Sequence, residues 1–235
     1  MKKGGSHIEV IFAFVLFLSF VVIIIYFFNP IEKGNSKDGI LNYVVSEIKK
    51  DLEENLETIY IKSEQEEQCI KYDIKIEGIN KDNIVVKNLK EEEVEFDLKE
   101  ENGRKTIEVS NDGYFVIRVS SGIKKEYGES EEQECILPEG SEKNKKIVST
   151  TENIITERKI NELKKRYIEN YTKLKNELKI PESIDFLFSV KIDEKEINLN
   201  KKIPSRVSVF GKEEKIKILK EDGDIKFGEL NVLIW

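Results

Sequence analysis

The chain has 235 residues, of which 36% are charged and 39% hydrophobic, and a formal net charge of −7. Lys and Glu are interspersed with no basic excess, which argues against nucleic acid as a partner. The sole histidine is His7 and there is no CxxC pair, so the chain beyond that point holds no histidine-based catalytic triad and no histidine-ligated zinc.

The first residues, MKKGGSHIE, precede an uncharged run over 10–28, VIFAFVLFLSFVVIIIYFF, with Ser19 as its clearly polar side chain. As a helix these 19 residues would span ~28 Å, close to the ~30 Å hydrocarbon core of a bilayer. A helix apolar on all faces does not suit the surface of a globular domain. The run therefore predicts an N-terminal transmembrane helix, with a buried core helix as the competing reading. Lys2 and Lys3 place the N-terminus in the cytoplasm and the rest outside, a single-pass protein of the cell membrane. A secretory signal peptide fits poorly, because the run is long and the residues after it, Tyr26 to Pro30, are bulky.

A short basic leader ending in Gly4, a mature start at Gly5, a Glu at the fifth mature position (Glu9) and then the apolar run resemble the N-terminus of archaeal type IV pilin-like proteins. The resemblance covers about thirty residues and implies a class III signal peptide cut between Gly4 and Gly5 by a prepilin-type leader peptidase. It also implies a cell-surface structural protein that assembles with other pilin-like subunits, Glu9 setting the subunit register. The alternative for Glu9 is an interfacial carboxylate reaching the headgroups. The segment from Tyr167 through KNELKIPESIDFLFSV to the closing LNVLIW is similar to the C-terminal half of such proteins. Asn29-Pro30 and the polar stretch to residue 38 read as a linker, which departs from the continuous pilin helix.

Apolar residues at 40, 41, 44, 45, 48, 52 and 56 recur at spacings of three and four and predict an amphipathic helix over 39–56. Alternating strands then follow from Cys69 through Ile76, at 84–86, 94–98, 106–109 and 115–119, with Asn102-Gly103 and Asn111-Asp112-Gly113 as hairpin turns. Cys69 and Cys135 would pair in an oxidising space, or else lie as two buried thiols. The acidic residues Glu91, Glu92, Glu93, Glu95 and Asp97 match no calcium-loop spacing and read as a solvated strand face.

A second amphipathic helix is predicted over 156–178, stopped by Pro181, and it carries the glycosylation pattern Asn170-Tyr171-Thr172. The last fifty residues read as β, with strands at 184–192, after Pro204, at 216–218 and at 225–234 around a turn at 221–224. The apolar phase of the final strand shifts at Gly228-Glu229, which predicts a β-bulge.

The expected fold class is α+β: a basic leader (1–4), a transmembrane helix (5–28), a linker (29–38), and an extracytoplasmic part of antiparallel sheets and two amphipathic helices, divided at about residue 140. The expected function is a non-enzymatic assembly subunit with no cofactor and no metal. The alternatives are an uncleaved anchored binding or scaffold module and an anchored hydrolase using two carboxylates.

Overall fold

A computed structural model describes residues 7–28, 35–62, 70–73, 78–101, 104–109, 113–127, 146–199 and 202–235. The chain divides into two compact units, Met1–Ile40 and Leu41–Trp235.

In the first unit lies α1 (His7–Phe28). Its described side chains are those of 10–21, about 18 Å of helix at 1.5 Å per residue, against the ~30 Å of a bilayer core. Among the described residues no helix is long and apolar enough to cross a membrane. That finding corrects the expected N-terminal transmembrane helix, the single-pass topology with its cytoplasmic N-terminus, the cell-membrane location and the membrane-borne pilin character drawn from them.

The expected α+β class is corrected too, because the second unit is built mostly of strands. An eight-stranded sheet has the order β3-β6-β1-β7-β10-β11-β8-β9, and a three-stranded sheet the order β2-β5-β4. The strands are β1 (Glu53–Lys62), β2 (Ile70–Asp73), β3 (Ile84–Asn88), β4 (Phe96–Glu101), β5 (Arg104–Val109), β6 (Tyr114–Val119), β7 (Lys146–Thr156), β8 (Phe186–Ile192), β9 (Lys195–Ile197), β10 (Phe210–Leu219) and β11 (Ile225–Ile234). The helices are α2 (Asn35–Leu52), α3 (Glu157–Glu169) and α4 (Tyr171–Glu177).

At one end of the large sheet, β3, β6 and β1 face the small sheet. Ile59 and Ile61 of β1, Val86 of β3 and Ile117 of β6 close with Phe96, Ile107 and Val109 into one buried cluster. Tyr127 seals it: its ring stands edge-on to Phe96 at 5.2 Å, and its hydroxyl donates to the Ile84 carbonyl. At the other end Phe186, Phe188 and Val190 of β8 are buried beside Ile234, Val232 and Leu230 of β11. Tyr167 of α3 packs edge-on to Phe186 and Phe188 and donates to the Phe186 carbonyl at 2.6 Å. Lys49 of α2 pairs with Glu214 of β10 at 2.9 Å, and Arg166 of α3 with Asp51 of α2.

Several expectations shift for physical reasons. The helix expected over 39–56 stops at Leu52, where the chain turns straight into β1, so Leu56 is a strand residue. The helix expected over 156–178 breaks at Asn170, whose side chain accepts from the Lys173 amide at 3.0 Å and starts α4. β5 and β6, the strands on either side of the expected turn at 111–113, belong to different sheets and form no hairpin, and Asn111 and Asp112 lie outside the described residues. No bulge interrupts β11, which pairs with β10 in one unbroken register from Phe210↔Ile234 to Leu219↔Ile225. The apolar phase shifts because the two ends of β11 bury opposite faces. Leu230, Val232 and Ile234 are buried on one, while Ile225 packs on the other with Leu56, Val85, Ile123, Ile154 and Leu219. Residues 202–209 after Pro204 form no strand.

Candidate interaction surface

Twelve side chains of α1 are described, and Val10, Ile11, Phe12, Phe14, Val15, Leu16, Phe17, Leu18 and Phe20 among them are 45–70% exposed. Ser19 donates to the Val15 carbonyl one turn back at 2.8 Å, so even this hydroxyl is turned into the helix. The result is a stretch without a free polar group. Exposed apolar surface of this continuity marks a site that another molecule covers.

His7 and Glu9 belong to α1. Lys2, Lys3, Gly4 and Gly5 lie outside the described residues, as do Cys69 and Cys135, so the processing site and the disulfide stay sequence expectations. Asn170 is exposed at the corner between α3 and α4. Its Oδ1 caps α4, which leaves the amide nitrogen, the atom a glycan would take, outside that bond.

A cleft of about 1080 Å³ lies among Lys124, Lys125, Glu157, Asp193, Lys195 and Asp222. Some of its charges are paired. Lys195 pairs with Glu157 at 3.3 Å, Lys220 with Asp222 at 3.0 Å, and Lys125 reaches Glu93. Burial opposes the ionised form of Asp222, yet the Asp224 amide and Lys220 hold its carboxyl below the usual range.

Of the acidic run at 91–97, Glu91, Glu92, Glu93 and Glu95 are exposed but precede β4, and only Asp97 lies on that strand. Glu91 lies in a turn with φ 60° and reaches Arg118 at 3.6 Å, Glu92 accepts from Asn88 at 2.8 Å, and Asp97 pairs with Lys81 at 3.3 Å. Among the described residues no three metal-ligating side chains converge.

Two strands that border the remaining exposed apolar surface escape sequence reading. β1 was hidden because Leu56 extends the helical spacing of α2, and β7 because Lys146–Thr156 lacks a regular apolar alternation. Its Ile-Val and Thr-Thr pairs are the signal that could have found it. Tyr60 of β1 and Val148 of β7 face each other across the ladder, 49% and 58% exposed, with Tyr114 next along the sheet under Lys62.

No family model matches the chain, and neither a curated protein nor a solved structure matches it.

Proposed function

We propose that this protein is a non-enzymatic assembly subunit: α1 packs against apolar helices of other subunits, and the β-rich unit is the part presented to its surroundings. The observation that supports this reading is α1 itself, nine large apolar side chains standing exposed on one helix with its serine bonded inward. Apolar surface of that kind is driven to associate by its removal from water. The reading keeps the assembly step that the N-terminal resemblance implies and rests on none of the corrected membrane features.

A photo-reactive phenylalanine analogue in place of Phe14, activated in cells making the full chain, tests the reading. The expected product is α1 joined covalently to α1 of a second copy. Recovery of the uncrosslinked chain alone would overturn it.

A further inference from the structure

β7 is paired with β1 along almost its whole length, from Glu53↔Ile155 to Lys62↔Lys146. Its second edge is different. Among the described residues it meets β10 only at Ile155 and Thr156, in parallel, and the two strands then part. Among the described residues no strand lies beside that edge from 147 to 153. Natural sheets blunt such edges with Lys, Pro or a bulge, but Val148, Ser149, Thr150 and Thr151 carry none of these and all four are exposed. Tyr60 and Val148 add exposed apolar surface on the same face.

We infer that the outer edge of β7 pairs antiparallel with the same edge of a second copy of this chain, about a two-fold axis through Ser149. An unpaired ladder edge takes an extended backbone, and the sequence of β7 makes its own copy a suitable one. In that register Val148 faces Thr150 of the second copy, Ile147 faces Thr151, and Lys146 faces Glu152, each twice because the contact is isologous. No like charges meet, and two opposite-charge positions flank the centre. Glu152 also lies 3.5 Å from Lys217 of its own chain, an exposed pair that can exchange partners at little cost. The inference is independent of α1.

Amide hydrogen exchange on the full chain, in a nonionic detergent that keeps α1 covered, reads this contact locally. Exchange of the β7 amides over 147–153 is expected to slow at least about tenfold between dilute and concentrated protein, while β1 amides stay unchanged. The double variant V148K/T150K sets Lys opposite Lys twice and should lose that protection. V148K/T150E sets Lys opposite Glu and should restore it. Both positions are exposed, so the fold tolerates either change. Exchange that is independent of concentration, protection that survives in V148K/T150K, or failure of V148K/T150E to restore it would overturn the inference. A loss of α1 crosslinking with β7 protection intact would instead count against the assembly reading alone.

Discussion

Two glycines show how single residues hold the unit together. Gly223 sits in the β10–β11 turn at φ +83°, and a Cβ there would come within 2.7 Å of Val85. The same turn is clamped to β3 and β6, where Lys87 reaches Asp224 and Arg118 donates to the Gly223 carbonyl at 3.1 Å. Gly223→Ala therefore meets backbone strain and a clash together and should cost about 2 kcal/mol or more, read as a lower urea midpoint with an unchanged slope. Gly228 meets the Lys191 carbonyl at 2.6 Å from its would-be Cβ, a backbone atom that cannot step aside. Glu214 gives a pH-dependent test. Hydrogen bonds from Lys212 and then Lys49 hold its carboxyl below the usual value of 4.5. With the folded pKa lowered, its contribution is present above the unfolded pKa and lost as pH falls through the folded one. Glu214→Gln should lower the thermal midpoint at neutral pH, by under about 1 kcal/mol equivalent, and the gap should close in acid. At the alkaline end, burial raises the phenols of Tyr127, Tyr167 and Tyr171. Their contribution holds below the ordinary value of 10.0 and falls as pH rises beyond it. Absorbance titration should show these three ionising only with unfolding.

At the scale of elements, local signals were legible where one face of a segment does one job. Residues 186–192 alternate without fault and form β8, buried on one face along its length. Asn102-Gly103 and the turn at 221–224 lie between strands that pair antiparallel across them. The spacing of Leu41, Val44, Val45, Ile48 and Leu52 marks the buried stripe of α2. Reading fails where a segment changes its task midway. β11 buries opposite faces at its two ends, which mimics a bulge, and Leu56 continues a helical spacing while standing in β1. The break at Asn170 is invisible to periodicity, because Ile160, Leu163, Tyr167, Leu174 and Leu178 keep their spacing across it. Asn170→Ala removes the α4 cap and should destabilise the unit by about 1 kcal/mol, seen in denaturant unfolding. Of the interaction surface, α1 was evident from composition. The open edge of β7 was not, since an unpaired edge is a property of topology and not of any one strand.

The whole molecule combines a unit whose described helix is apolar on its exposed surface with a strand-rich unit held by two kinds of packing. Sheet lies on sheet at the β3-β6-β1 end, and helices cover the β10-β11-β8 end. Among the described residues the strand-rich unit has its large apolar side chains inside, with scattered exceptions such as Tyr60, Val148 and Phe227. Two ion pairs, Lys195 with Glu157 and Lys220 with Asp222, lie in its charged cleft. On the proposed reading, what α1 touches sets how the protein assembles. The most direct measurement is sedimentation velocity of the full chain beside the variant Phe14→Lys/Phe17→Lys, with circular dichroism to confirm that the β-rich unit is intact. The assembly account predicts species larger than a dimer for the unaltered chain and none larger than a dimer for the variant. An unaltered chain that never exceeds a dimer, or a variant that assembles just as far, would contradict it.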